Sequence, residues 1–404
     1  MTISSDDTSI ATGHSKLQFA ALMLGAMSQS VVFSAFASAL PQIARDLGNR
    51  GELVAQMTMA LAALGVVFGA LASGSILERV GTRRTLLASL LIYGLGGSGG
   101  LFLRDPVFLL ASRFAVGFVS ACMVTTCVWG IAAEYEGIQR ARALGVSYAL
   151  AAIAALSVNV LGGYLAHRGG WSLAFLPYPV FGLVGFLLAL AGVRQVRPER
   201  DRAGETRQPY LRRLLPFYSL ALLLFAVMFM EATQFAFLLE EDGIRNPATR
   251  SLIIGTITTV ATLISFCYAR LRQRLGPFGT LTLGLSCMTV ALAALGWRAD
   301  PAIAILGAAL MGIHGGLVSP YLYHAVTEQT DVFSRSHAIG LLTAFSFLGG
   351  FLNPLIVAPM RNTIGLHNVF LAVAVIMAAL TAGAAVKLLR NRDFARCAVN
   401  LPSR

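Results

Sequence analysis

Twelve long apolar segments, each separated from the next by a polar stretch, dominate this sequence. A helix that crosses the hydrocarbon core of a bilayer needs about 20 mostly apolar residues. The segments that meet this requirement, called spans 1 to 12, are 17–40, 53–77, 83–103, 107–133, 141–166, 171–193, 214–238, 249–269, 279–297, 301–324, 337–360 and 367–387. Only 12% of the residues are charged, against about 25% in soluble domains. We therefore predict an all-α membrane protein with twelve transmembrane helices.

The net charge of +12 is distributed unevenly along the chain. With the N-terminus placed in the cytoplasm, and with charged residues at the ends of spans counted with the adjoining segment, the cytoplasmic side holds 22 Lys and Arg against 11 Asp and Glu, whereas the external side holds 8 against 7. An excess of basic residues in the cytoplasmic loops orients a membrane protein. We therefore expect both termini in the cytoplasm and a location in the cytoplasmic (inner) membrane. The basic stretches lack interleaved aromatic residues that would stack on bases, so no nucleic-acid partner is predicted.

The reactive side chains form no pattern typical of a catalytic or metal site. Cys122 and Cys127 lie in one apolar span without a histidine or carboxylate beside them, which disfavours a metal site there. No cysteine falls in a predicted external loop, so a disulfide framework is not expected. A nucleophilic triad or a pair of carboxylates at usable spacing is also missing. The sequence therefore predicts no metal, no cofactor and no enzymatic activity.

The two halves of the chain repeat one pattern at an offset of 195 residues, without a gap. Two six-span halves in the same orientation imply a pseudo-twofold axis along the membrane normal, with a binding site between them near mid-membrane. We therefore expect two pseudo-symmetric six-helix bundles. Equivalent residues include Gly81 and Gly276, Asp105 and Asp300, Arg140 and Arg335, and Gly145 and Gly340. The predicted divisions are a cytoplasmic tail at 1–16, an N-terminal bundle at 17–193, a cytoplasmic linker at 194–213, a C-terminal bundle at 214–387 and a cytoplasmic tail at 388–404.

The turn between spans 2 and 3 reads GSILERVGTRR over 74–84. This string resembles the signature cytoplasmic loop of the major facilitator superfamily, G-x-x-x-D/E-R-x-G-x-R-R, at every fixed position. The resemblance implies a twelve-helix transporter. It also implies a gate, in which the arginines pair with an acid such as Glu134 and lock the cytoplasmic side in the outward-facing state; a solvated charge cluster is the alternative. The predicted gate residues are Gly74, Glu78, Arg79, Gly81, Arg83, Arg84 and Glu134.

Further segments support the resemblance and indicate a branch of the family. Arg113 to Gly117 in span 4 resembles the family's R-x-x-x-G-x-G element, with Val119 in place of the last glycine. Span 5 reads VNVLGG over 158–163 and lacks the Gly-Pro pair of the drug antiporters, which weakens a drug-efflux assignment. The sequence is nevertheless most similar to the drug/proton antiporter and sugar-efflux branch. This implies transport of a small organic solute.

Only Arg113 in span 4 and Glu231 in span 7 are formally charged well within the predicted spans. A charge at mid-membrane costs about 2.5 kcal/mol or more, so such residues usually face a cavity or a partner. For Glu231 we predict a protonation site that couples proton and solute movement; the alternative is a structural carboxylate bonded to Thr233 or Gln234. Arg113 is expected to recognise an anion or to tune the proton site, or else to pack helices by binding backbone carbonyls.

His314 in span 10 is a third candidate for proton coupling. It shares one helix stripe with Tyr321 and His324, although a lone histidine within a span is more often a satisfied polar residue. Other polar side chains within the spans are expected to supply hydrogen-bonding groups to an otherwise apolar pocket. The predicted substrate-binding residues are Gln29, Tyr148, Asn159, Gln234, Tyr321 and Asn353.

Together these features predict a secondary active transporter that exports a small organic solute by alternating access, in exchange for protons. Proton-coupled uptake of an organic anion recognised by Arg113 is the first alternative, and a transporter-like membrane sensor is the second. The expected partners are a small-molecule substrate, protons and the lipid bilayer, and we expect the protein to act as a monomer.

Overall fold

A computed structural model describes residues 5–48, 51–102, 105–196, 210–298, 300–330 and 335–399, and every regular element in these ranges is a helix. The α-helices are Ser5–Ser34, Leu40–Asp46, Gly51–Val80, Thr82–Gly97, Gly99–Phe102, Pro106–Glu134, Gly137–Gly169, Pro177–Gly192, Tyr210–Thr233, Phe235–Glu241, Pro247–Trp297, Pro301–Glu328, Arg335–Ile364 and Leu366–Val399. Short 3-10 helices at Ala37–Ala39 and Trp171–Phe175 complete spans 1 and 6.

Eleven helical stretches of the described chain are long and apolar enough to cross a membrane. One of them, Pro247–Trp297, has 51 residues and is broken at Gly276, where φ is 72° and ψ is 175°. At about 1.5 Å per residue, a straight helix of this length would be more than twice as long as the hydrocarbon core is thick. The break therefore divides it into spans 8 and 9. The prediction of twelve transmembrane helices is confirmed.

Tight turns at equivalent positions of the two halves follow the sequence repeat. Glycine adopts positive φ without the steric cost that other residues meet. Three pairs of positive-φ glycines lie 195 residues apart: Gly48 and Gly243, Gly81 and Gly276, and Gly170 and Gly365. Asp105 and Asp300, also equivalent, each accept hydrogen bonds from two backbone N–H groups at the start of the following helix. The pseudo-symmetry predicted from the sequence is thus present in the backbone.

The spans pack as two bundles that meet along two main helix pairs. In the first bundle, span 2 packs against span 4, and span 3 against span 6; in the second, span 7 packs against span 11, and spans 8 and 9 against spans 10 and 12. Span 2 against span 11 and span 5 against span 8 form most of the contact between bundles. We call the end of the molecule with the Gly81 and Gly276 turns the linker end, and the opposite end, with the Gly48 and Gly243 turns, the distal end.

The helices extend beyond several of the predicted limits. The first helix begins at Ser5 and the last ends at Val399, so residues 5–16 and 388–399, predicted as parts of the tails, are helical. The remaining tail residues 1–4 and 400–404, and linker residues 197–209, lie outside the described residues. The predicted linker is therefore described only at 194–196 and 210–213.

Candidate transport cavity

Spans 5 and 8, one from each bundle, touch along their distal halves and separate toward the linker end. The Asn159 amide donates to the Ser251 carbonyl at 2.7 Å, and a Cβ placed on Gly163 would lie 2.8 Å from the Pro247 carbonyl oxygen. Small residues permit such close helix contacts in membranes. A Cβ placed on Gly145, at the linker end of span 5, would meet no atom within 4 Å. The interface is thus tight at the distal end and open at the linker end.

A cavity of about 500 Å³ lies where the two bundles separate. Its wall comes from spans 5, 7, 8 and 10, and more than half of the lining residues are apolar or glycine, including Met228 and Phe266. An apolar wall with a few convergent polar groups is typical of a small-molecule site. The polar lining residues are Tyr148, Glu231, Thr258, Thr262, Ser265 and Ser319.

Glu231 brings the single formal charge to the part of the cavity wall that the structure describes. Its carboxylate makes no hydrogen bond or ion pair with any other described residue. The two neighbours considered as its partners are engaged elsewhere: the Thr233 hydroxyl donates to Asn353 Oδ1 at 2.7 Å, and Gln234 Oε1 accepts from Gln56 Nε2 at 3.3 Å. Glu231 is therefore available to a ligand or a proton entering the cavity.

Of the six predicted substrate-binding residues, Tyr148 lines the cavity, and its side chain is 71% exposed. Asn353 is buried, and its amide group also donates to the Ala226 carbonyl at 2.8 Å. Asn159 and Gln234 are buried and bond across the two bundles. Each amide thus binds another side chain or the backbone through at least one polar atom, whereas Asn159 Oδ1 and Gln234 Nε2 are buried without a hydrogen-bond partner among the described residues. The remaining two lie outside the lining as well: Gln29 is half-buried and Tyr321 is buried.

The three predicted coupling residues occupy separate places in the molecule. Arg113 is completely buried inside the first bundle, where its guanidinium donates to the Gly97 carbonyl at 3.2 Å. His314 is completely buried inside the second bundle, with Nδ1 3.0 Å from the Gly284 carbonyl oxygen. Only Glu231 reaches the cavity. The placement of Arg113 matches the alternative in which it packs helices through backbone carbonyls.

The signature loop is attached to the end of span 6. Gly81 has φ 85° and precedes span 3. The Thr82 hydroxyl donates to the Arg194 carbonyl at 2.9 Å, and the Thr82 N–H donates to the Val196 carbonyl at 2.9 Å. Arg83 Nη2 donates to the Leu190 carbonyl at 2.8 Å. These bonds fix the turn and the start of the linker to each other.

The predicted pairing of the loop arginines with an acid is not made among the described residues. Glu134 instead accepts from the Gln18 amide. Glu78 and Arg79 are exposed, and so is Gly74, where a Cβ would meet no atom within 4 Å. In the family's pattern the pairing belongs to a state closed at this end. Because this structure is open there, the gate stays a prediction for the opposite state.

A charge network that the sequence analysis missed closes the distal end. Arg45 of the first bundle pairs with Glu240 of the second. Arg250, whose side chain is completely buried, lies 3.4 Å from the same carboxylate. Arg361 of the second bundle pairs with Glu52 of the first.

The network continues within the second bundle. Arg361 also pairs with Glu241 at 2.6 Å, and His367 Nε2 lies 3.1 Å from Asp242. A signal for this network was present in the repeat. Arg45 and Glu240 are 195 residues apart, so they are equivalent positions with opposite charges. Equivalent residues near a pseudo-twofold axis face each other across it.

Comparison with known proteins places the chain in a family. The family model of the Major Facilitator Superfamily matches residues 22–354. The cephamycin export protein CmcT of Amycolatopsis lactamdurans is 33% identical over 175 residues, which are 41% of this chain and 35% of that protein. The multidrug resistance protein Stp of Mycobacterium tuberculosis (strain CDC 1551 / Oshkosh) is 30% identical over 166 residues, 41% of this chain and 30% of that protein. The alignments thus span about a third of each relative's length.

Solved structures agree on the fold. The crystal structure of a peptide transporter, POT, in complex with sulfate superposes with a TM-score of 0.73 at 13% identity, covering 92% of this chain and 95% of that one. At this identity the likeness concerns the fold alone. The family match, which covers most of the chain, indicates a transporter and not an enzyme. The protein belongs to the Major Facilitator Superfamily.

Proposed function

We propose that the protein exports a small organic solute, cationic or weakly basic, in exchange for protons, by alternating access. The observation that carries this proposal is the unpaired Glu231 carboxylate in the cavity between the bundles. A carboxylate in a mostly apolar site is stabilised when it binds either a proton or a cationic group. It cannot hold both at once. Mutually exclusive binding of proton and solute at one group is the simplest basis for exchange.

The rest of the cavity wall supports a cationic or neutral solute. Its hydroxyl groups, on Tyr148, Thr258 and Ser265 among others, can donate to or accept from a ligand. No described lining residue carries a positive charge. Uptake of an organic anion through Arg113 lacks a supporting observation, because that side chain is completely buried outside the cavity.

Alternating access requires one state open at each end of the molecule. The open linker end and the closed distal end support the assignment of this structure to the state that is open at the linker end. With the predicted orientation, the linker end faces the cytoplasm, and the cavity is ready to receive solute from inside. Separation of the distal network and approach of the linker ends would then expose the cavity outside. Gly74, Gly145 and Gly340 all lie near the linker end with open space around them. They leave room for the helices to approach there.

The names of the similar proteins support the direction of transport. One is an export protein and another a multidrug resistance protein. We also propose the monomer as the transport unit, because a single chain supplies both bundles and the cavity between them.

The test uses everted membrane vesicles with an acidified interior and a pH-sensitive dye. Lipophilic cations, sugars and organic acids are added in turn to vesicles that contain the wild type, Glu231→Gln or Glu136→Gln. Glu136 is an exposed carboxylate between spans 4 and 5 and serves as the matched control. We expect cation-dependent proton release from the wild type and the control, and none from Glu231→Gln. Release by Glu231→Gln equal to the wild type would contradict the coupling role.

A further inference from the structure

Three spans of the first bundle are interrupted at one level near the distal end. In span 1 the α-helix ends at Ser34 and a 3-10 helix follows at Ala37–Ala39. Span 3 is divided between Thr82–Gly97 and Gly99–Phe102, and span 6 changes from 3-10 to α-helix at Leu176. An interrupted helix leaves carbonyl groups without N–H donors, which is costly within a membrane.

Two buried side chains donate to backbone carbonyls beside these interruptions. The Tyr178 hydroxyl donates to the Val32 carbonyl at 2.8 Å, in the last turn of the first helix of span 1. Arg113 Nη2 donates to the carbonyls of Gly96 and Gly97, at 3.3 and 3.2 Å, where span 3 is interrupted. The positive charge of Arg113 also suits the C-terminal end of a helix.

Arg113 contacts spans 1 and 6 through aromatic rings, in addition to its hydrogen bonds to span 3. Its guanidinium carbon lies 4.7 Å from the ring centre of Tyr178, 4.9 Å from that of Phe175 and 5.5 Å from that of Phe36. Within about 6 Å a guanidinium is attracted to an aromatic face. Gly97 makes room for this cluster, since a Cβ there would lie 2.6 Å from the Tyr178 ring. The glycine-rich stretch of span 3 thus has a packing role.

A continuous set of contacts leads from this cluster to the distal charge network. The Phe175 ring packs edge-on against Trp171, with centroids 5.9 Å apart. Trp171 Nε1 donates to Asp46 Oδ2 at 2.7 Å. The preceding residue, Arg45, pairs with Glu240 across the bundles.

From this arrangement we infer that Arg113 is a positioning residue of the distal gate, which is the set of charge pairs that closes the distal end between the bundles. Arg113 holds the distal segments of spans 1, 3 and 6 as one unit, and thereby holds Arg45 opposite Glu240. The inference rests on the proposed alternating access, because a gate requires a second state. The distance measurement that tests it does not depend on the nature of the solute or on proton coupling.

The test measures the distal separation of the bundles directly, without solute. Spin labels are attached at His167 and Arg298, exposed residues at the distal end of the two bundles, in a background without native cysteines, and their distance distribution is measured in lipid nanodiscs. The variants are Arg113→Met, Arg113→Lys and Trp171→Phe. The last removes the hydrogen bond to Asp46 while Arg113 is kept.

We expect Arg113→Met to increase the ratio of distally open to distally closed molecules by about fivefold or more. Arg113→Lys, which keeps the charge but not the planar stacking group, should lie between Arg113→Met and the wild type. Trp171→Phe should shift the ratio in the same direction as Arg113→Met. If Arg113→Met fails to fold, the other two variants decide the question by the same measurement.

A second readout separates positioning from proton tuning. The pH profile of proton-linked transport in Arg113→Lys should coincide with that of the wild type. Wild-type distance distributions in Arg113→Lys and Trp171→Phe would overturn the inference, and so would a displaced pH profile. The Glu231→Gln variant tests the proposed function independently. If that test contradicts the coupling role of Glu231, the distal distances expected here are unaffected.

Discussion

Replacement of Glu240 by glutamine removes a charge that two arginines of the distal network share. Arg45 reaches Glu240 from the opposite bundle, and Arg250 lies 3.4 Å from it within the same bundle. Glutamine keeps the size and one oxygen acceptor, so the packing of the helix end is retained. In a distally open state these groups would face water. The loss of the ion pairs therefore lowers the stability of the distally closed state.

The free-energy cost of Glu240→Gln in the distally closed state follows from the exposure of the two arginines. The Arg45 side chain is 56% exposed, and an exposed pair contributes at most about 1 kcal/mol. The Arg250 side chain is 0% exposed, and removing a partner from a buried charge costs about 3–5 kcal/mol. Because Glu240 is partly exposed and glutamine still accepts a hydrogen bond, we take about 2 kcal/mol in total. This shifts the balance of states roughly 30-fold toward the distally open form.

Hydrogen–deuterium exchange in lipid nanodiscs measures this shift without an attached spin label and without a solute. Peptides that cover 235–241 and 247–255 should exchange faster in Glu240→Gln, whereas peptides near the linker end should exchange more slowly. Glu328→Gln is the matched control, since Glu328 pairs with Arg272 and His324 within one bundle. Distal exchange that is unchanged in Glu240→Gln, or equally raised in the control, would refute the reasoning.

Three further predictions follow from the same structure. Arg361→Ala removes the pairs with Glu52 and Glu241 and should raise distal exchange in the same regions; unchanged exchange would assign those pairs no role. Gly163→Val adds bulk where a Cβ would already lie 2.8 Å from a carbonyl oxygen, so spin-label distances should show the bundles opened distally, and wild-type distances would contradict the close contact. Gly81→Ala places a Cβ at φ 85° and should lower stability by about 1–3 kcal/mol in thermal unfolding, whereas Gly340→Ala, a helical glycine with open space, should not destabilise.

The fold was predictable because its signals are local or periodic. Long apolar segments define membrane helices whatever their partners are. The repeat placed the turns, and Gly81 and Gly276 take positive φ at the equivalent positions. The gap between spans 8 and 9 was evident in the sequence, although the structure joins them as one helix broken at Gly276.

The site was only partly predictable, because polarity within a span does not reveal which neighbour a side chain meets. Glu231 and Tyr148 do line the cavity. Asn159 and Asn353 looked similar in the sequence, yet they bind the backbone of other helices. Arg113 stood out as a charge within a span, but the helix interruptions that it satisfies leave no clear mark in the sequence.

The distal network was missed for a different reason. Arg45 and Glu240 lie near helix ends, where charged residues are ordinary and carry no signal alone. Only the combination of the 195-residue repeat with opposite charges at equivalent positions indicates a pair across the axis. A search of repeat-equivalent positions for complementary charges would have found it.

The central claim is that one carboxylate, Glu231, holds either a proton or the solute. The most direct test mixes purified protein in weakly buffered solution with tetraphenylphosphonium, a lipophilic cation, and measures proton release and cation binding together. We predict about one proton released for each cation bound by the wild type, and neither release nor tight binding in Glu231→Gln. Cation binding without proton release, or equal release from Glu231→Gln, would contradict the account.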